Sequence, residues 1–129
     1  MIYGLGTDIV EIARVQKALS RYGERFALRI LCPPELARFR AHRRPVAYLA
    51  KRFAAKEAFS KALGTGIRAP ANWHGVWVVN LRSGQPTLEF APALAALLVQ
   101  RGVGHCHLSL SDERAFASAT VILESGART

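Results

Sequence analysis

Two carboxylates and one lysine occupy positions where a purely structural chain would place apolar side chains. Asp8 interrupts the apolar run of residues 1–10. Glu57 and Lys61 fall one helical turn apart among Leu49, Ala50, Phe53 and Ala54. A charge in such surroundings is costly unless it is paired or bound to something. Two ordinary roles are open: Glu57 and Lys61 match the common helix-surface ion pair, and an Asp near a strand end often caps a turn. The alternative is phosphate chemistry. Lys61 falls in the last turn before Gly64, Thr65 and Gly66, and a lysine beside a glycine-rich loop is one way to hold a phosphate. The spacing is not that of a Walker loop.

Those residues need a helix and a strand to carry them. Alanines, leucines and straight-chain residues favour a helix that begins near Pro45 and closes at Gly64 and Gly66. Tyr48, Phe59 and Leu63 give it a second apolar face, so it should be covered on more than one side. Residues 1–10 read as a strand in which Gly4 and Gly6 allow another backbone to come close. Helical spacing follows over 11–19, closing near Gly23, and again over 24–31, and Pro33 and Pro34 start a further helix that dissolves in the basic patch 38–44. Beyond Gly66, residues 76–79 and 86–90 form a hairpin through the turn at Gly84, and 91–101 read as a helix. Residues 105–111 alternate, with His105, His107, Ser109 and Ser111 on one face, and 115–124 make a last strand. This pattern predicts an α+β fold with an antiparallel sheet packed with helices. One domain over 1–124 and a frayed tail over 125–129 are expected.

The 129 residues carry 18 Lys+Arg against 9 Asp+Glu, a formal charge of +9 that implies an anionic partner. Arg14, Arg21, Arg25 and Arg29 run along the first two helices. A nucleic-acid module would interleave such arginines with exposed aromatics, but Phe26, Phe39, Phe53 and Phe59 lie at core spacing, so no nucleic-acid partner is expected. No apolar run is long enough to span a membrane and no signal-peptide pattern opens the chain, which predicts a cytoplasmic protein. Cys32 and Cys106 form no metal or disulfide signature and are expected as buried thiols. His105 and His107 lack a third zinc ligand at suitable spacing.

Two stretches together are more specific. Gly4-Leu-Gly6-Thr-Asp8-Ile-Val-Glu11-Ile-Ala-Arg14 resembles the N-terminal signature of the holo-[acyl-carrier-protein] synthases. Arg52-Phe-Ala-Ala-Lys56-Glu57-Ala-Phe-Ser-Lys61-Ala-Leu-Gly64-Thr-Gly66 resembles the second signature of the 4′-phosphopantetheinyl transferase superfamily. His107-Leu-Ser-Leu-Ser-Asp112 and the last strand are similar to its C-terminal segment, so the resemblance covers nearly the whole chain.

The resemblance implies the 4′-phosphopantetheinyl transferase fold. It also implies transfer of the phosphopantetheine arm of coenzyme A to a serine of apo acyl carrier protein, releasing adenosine 3′,5′-bisphosphate, in fatty acid biosynthesis. It assigns Asp8 and Glu57 as Mg²⁺ ligands and, with Lys61, as the catalytic set. Lys61 and the backbone of Gly64, Thr65 and Gly66 would hold anionic oxygens of coenzyme A, with Arg52 a further phosphate contact and Pro86 near the adenine. Glu57 or a metal-bound water would take the serine proton. Arg14, Arg21, Arg25 and Arg29 become the docking face for the acidic carrier protein. Short members are homotrimers with sites between subunits, and the same assembly is implied here. Many members have His where this chain has Asp112, which should therefore act indirectly. A nucleotide hydrolase is the competing enzyme class; it would turn over coenzyme A without a carrier protein.

Overall fold

The computed structural model describes residues 1–126. Ten elements follow in chain order: β1 (Ile2–Glu11), α1 (Ile12–Tyr22), α2 (Glu24–Ile30), α3 (Pro33–Ala41), α4 (Pro45–Leu63), β2 (Val76–Asn80), β3 (Pro86–Phe90), α5 (Pro92–Gln100), β4 (Val103–Asp112) and β5 (Phe116–Ser125). The α+β class and the antiparallel pairing are as expected, but the strands form two sheets rather than one. β5 lies between β1 and β4 in a three-stranded sheet, and β2 pairs with β3 in a separate hairpin. β5 runs one residue further than expected. Ser125 belongs to the strand, and its N–H and hydroxyl both donate to the Met1 carbonyl at 2.8 and 2.9 Å. Of the expected frayed tail, 127–129 lie outside the described residues.

α4 is the axis of the molecule. Pro45 stands in its first turn, and Gly64 ends it in the left-handed conformation (φ +86°) that a side chain would oppose. The helix crosses the inner face of the three-stranded sheet and also meets α1, α2, α3 and β2, which explains its burial on several sides. Phe59, Ala58, Val121 and Leu123 are fully buried in the core beneath the sheet, while Leu49 and Ala50 pack with Val15, Ala27 and Ile30 in a second cluster under α1 and α2. Fully burying side chains of the Leu and Phe class contributes about 1.5–3 kcal/mol each.

The closest packing is between β1 and α4. A Cβ on Gly4 would lie 1.9 Å from the Ala62 carbonyl oxygen, and one on Gly6 would lie 1.9 Å from that of Ala58. Strand residues alternate faces, so Gly4, Gly6 and Asp8 all look toward α4. The two glycines bring the strand onto the alanine face of the helix. Asp8 is delivered to the same contact two residues later.

Candidate active site

Asp8 from β1 and Glu57 and Lys61 from α4 line one open groove of about 480 Å³. Arg14 stands at its side, and Val15, Phe26 and Phe53 give it an apolar wall. Lys61 Nζ donates to Asp8 Oδ1 at 3.2 Å and to the Thr7 carbonyl at 3.0 Å. The ion pair is therefore between strand and helix, not the Glu57–Lys61 pair that the i, i+4 spacing offered. Among the described residues no hydrogen bond or ion pair holds the half-buried Glu57 carboxylate. Burial raises the pKa of its carboxyl, the neighbouring charge of Asp8 raises it further, and Lys61 opposes both. A carboxylate desolvated beside a second carboxylate is a site that a cation would relieve. No cluster of three or more His, Cys, Asp or Glu gathers among the described residues. Two carboxylates on an open groove fit Mg²⁺, which prefers oxygen ligands and keeps water and substrate oxygens in its shell.

The other expected ligand-binding residues lie apart from this groove. Arg52 is buried on the opposite side of α4, its guanidinium 4.2 Å from the centre of the Tyr48 ring. Its Nη2 donates to Asn80 Oδ1 at 3.2 Å, and among the described residues its Nε has no hydrogen-bond partner. Burial lowers the Arg52 pKa, the mark of a desolvated cation. Arg52 shares a basic depression with Arg38, His42, Lys51 and Gly84. Pro86 belongs to this side too, since it pairs with Asn80 across the hairpin. Gly64 and Thr65 line a third hollow with Arg68 and Arg101. The Gly64 and Thr65 N–H groups both donate to the Ser60 carbonyl, at 2.9 and 3.2 Å. They close the helix, which leaves fewer amides for an anion than the Gly-Thr-Gly spacing suggested.

The four arginines expected to meet a partner divide as well. Arg14 borders the groove, whereas Arg21 stands further along α1 with its guanidinium over the Tyr22 ring. Arg25 and Arg29 are exposed on α2. Asp112 forms an ion pair with Lys51 at 3.3 Å, so its charge is met by a cation from α4. His107 meets Glu124 on the exposed face of the sheet. Cys32 is buried as expected, but Cys106 is only half-buried because its strand face meets the core near the sheet edge.

One constellation escaped the sequence. Lys56 and Glu35 have fully buried side chains and pair at 2.8 Å. Glu35 follows two prolines at the start of α3, and its carboxylate accepts the Cys32 N–H at 2.9 Å. A Glu at the third helical position was a legible capping signal. Nothing in the spacing said that Lys56, 21 residues on, would close over it.

Residues 4–121 match the family model of the 4′-phosphopantetheinyl transferase superfamily. The chain is 50% identical over 127 residues to a holo-[acyl-carrier-protein] synthase of Thiobacillus denitrificans, covering 98% of this chain and 97% of the relative. The crystal structure of the Neisseria meningitidis holo-[acyl-carrier-protein] synthase superposes with a TM-score of 0.94 at 45% identity, over 97% of this chain and 100% of that one. The Bacillus anthracis enzyme, solved in complex with CoA (3′,5′-ADP), gives a TM-score of 0.82 at 37% identity, over 98% and 99% of the two chains.

Proposed function

This chain belongs to the 4′-phosphopantetheinyl transferase superfamily, and from that premise we infer that it is a holo-[acyl-carrier-protein] synthase. It moves the 4′-phosphopantetheine arm of coenzyme A to a serine of apo acyl carrier protein and releases adenosine 3′,5′-bisphosphate. The observation that carries the chemistry is the convergence of Asp8, Glu57 and Lys61 on one groove from two different elements.

The serine oxygen bonds to the phosphorus of the pantetheine-side phosphate as the bridging P–O bond to adenosine 3′,5′-bisphosphate breaks. The serine proton passes to Glu57 or to a water beside it. Asp8 and Glu57 are the residues that would hold Mg²⁺, and the chemistry it would supply there is neutralisation of charge on the leaving phosphate. Lys61, fixed by Asp8 and the Thr7 carbonyl, adds a positive charge at the same end of the groove. Arg14 and the arginines of α2 meet the acidic carrier, where rim charges mainly raise the encounter rate.

The enzyme works as a homotrimer with its sites between subunits. Two observations support this. The outer face of β1 leaves Leu5 60% and Ile9 67% exposed, an apolar strand face that a second copy would cover. The basic depression at Arg52 and the groove at Asp8 lie on different sides of α4, so one coenzyme A spanning both kinds of contact needs a neighbouring copy. No helix among the described residues is long and apolar enough to cross a membrane. Independently of that, the inferred reaction serves fatty acid biosynthesis in the cytoplasm. Incubation with coenzyme A, Mg²⁺ and apo carrier protein, followed by mass spectrometry of the carrier, tests the class. The carrier should gain one phosphopantetheine. Turnover of coenzyme A without a carrier would replace the transferase with a hydrolase.

A further inference from the structure

Lys56 precedes Glu57 directly, yet its side chain leaves α4 in another direction and is wholly buried. Its Nζ donates to the Ile30 carbonyl at 2.6 Å, to Glu35 Oε1 at 2.8 Å and to the Trp73 carbonyl at 2.8 Å. Glu35 in turn accepts N–H bonds from Cys32 and from Val78, both at 2.9 Å. One amine and one carboxylate thus tie together the end of α2, the start of α3, the segment before β2, and β2 itself.

A buried ion pair is weak evidence for stability, because well-packed apolar residues often serve as well or better. What the pair does provide is direction, and the segments it holds are the wall of the groove. Ile30 ends α2 one turn beyond Phe26, which lines the groove. Trp73, whose carbonyl Lys56 holds, packs its ring against Phe53 at 5.1 Å, and Phe53 lines the groove as well. A second tie runs between the same two segments: the His74 ring donates from Nε2 to the Leu28 carbonyl at 2.9 Å.

We propose that the buried Lys56–Glu35 pair is a positioning device for the transfer reaction. It sets the end of α2 and the Trp73 segment so that Phe26 and Phe53 form the wall against which the carrier's serine-bearing segment is held beside Asp8 and Glu57. This rests on the assignment of the groove and the α1–α2 arginines to carrier docking. Lys56 and Glu35 touch no substrate and act through Trp73 and α2.

The test uses the full-length enzyme with coenzyme A, Mg²⁺ and apo carrier protein. Lys56→Met combined with Glu35→Gln removes both charges of the pair together, so neither member is left buried without the other. In a Trp77→Phe background, Trp73 emission and its quenching by acrylamide report the position of that ring. The variant should raise KM for carrier protein about tenfold or more, since a supporting group displaced by ~1 Å costs up to ~10²-fold. KM for coenzyme A should hold, and Trp73 should become more accessible to acrylamide. A pair that only stabilises the fold would lower the melting temperature and leave KM for carrier protein unchanged, which overturns the proposal. Trp73→Ala provides an independent arm, because it removes the prop on Phe53 without touching the pair. It should reproduce the rise in KM, and an unchanged KM there overturns the proposal even if the double variant fails to fold. Arg14→Glu with Arg25→Glu runs in parallel. If that pair leaves KM for carrier protein unchanged, the docking assignment itself has failed. If it raises KM and Trp73→Ala does not, only the positioning role has failed.

Discussion

Gly6→Ala tests whether the approach of β1 to α4 sets the catalytic geometry. The added Cβ would stand 1.9 Å from the Ala58 carbonyl oxygen and 2.7 Å from the Ala62 nitrogen, both backbone atoms of a buried helix that cannot turn aside. Relief to a tolerable contact near 3.0 Å requires the strand to move by about 1 Å. Overpacking of this kind costs ~1–3 kcal/mol, or roughly 2–8 °C in melting temperature for each kcal/mol. The functional effect should be larger than the thermal one. Asp8 follows on the same strand face, and a shift of ~1 Å at a reacting group costs on the order of 10²-fold in rate. Gly102→Ala is the matched control. Gly102 has φ +73° with open space around it, so alanine there strains the backbone by about 1–2 kcal/mol without pushing on the site. Thermal melts followed by steady-state transfer at a temperature where each variant is folded would separate the two effects. Gly102→Ala should lose stability and keep kcat, whereas Gly6→Ala should lose both. A Gly6→Ala enzyme that melts lower but keeps kcat would show that the strand contact does not set Asp8, and the reasoning would fail.

Glu57→Ala and Asp8→Ala should each reduce transfer by at least ~10²-fold, the scale of losing one preorganised electrostatic contact, while circular dichroism stays unchanged. Near-normal turnover by Glu57→Ala at ordinary Mg²⁺ would remove it from the metal site. Arg14→Glu combined with Arg25→Glu should raise KM for carrier protein and flatten its salt dependence, with KM for coenzyme A unaffected. Asp112→Asn should keep most of the activity, because it breaks only a partly exposed pair with Lys51, worth ~0.2–1 kcal/mol. A loss as deep as that of Glu57→Ala would place Asp112 in the chemistry. Leu5→Glu should shift the sedimenting species from trimer to monomer, and an unchanged trimer would move the interface off the outer face of β1.

The legible features were those governed by neighbours in sequence. The apolar periodicity of α4, Pro45 at its start and Gly64 at its end are local choices, and each appears in the structure where the chain announced it. The same holds for the glycines of β1, whose missing Cβ atoms allow the contact with Ala58 and Ala62. Asp8, Glu57 and Lys61 were recognisable as charges out of place, because desolvation makes an unpaired charge in an apolar run costly wherever it occurs.

Other features depended on which distant segments the packing brings together. Lys61 had Glu57 as its sequence neighbour but found Asp8, because β1 lies against α4 closely enough to offer a second carboxylate. Arg52 shares a motif with Glu57 yet faces the far side of the helix, since five residues at about 100° per residue carry it well round the axis. The Lys56–Glu35 pair joins α4 to α3 across a gap that no periodicity describes. Propensity and spacing act over a few residues, whereas ion pairs and groove walls are made by contacts between elements. The chain therefore declared its helices, its strands and its chemistry, and only the packing of β1, α2 and α3 on α4 decided how those residues are partnered.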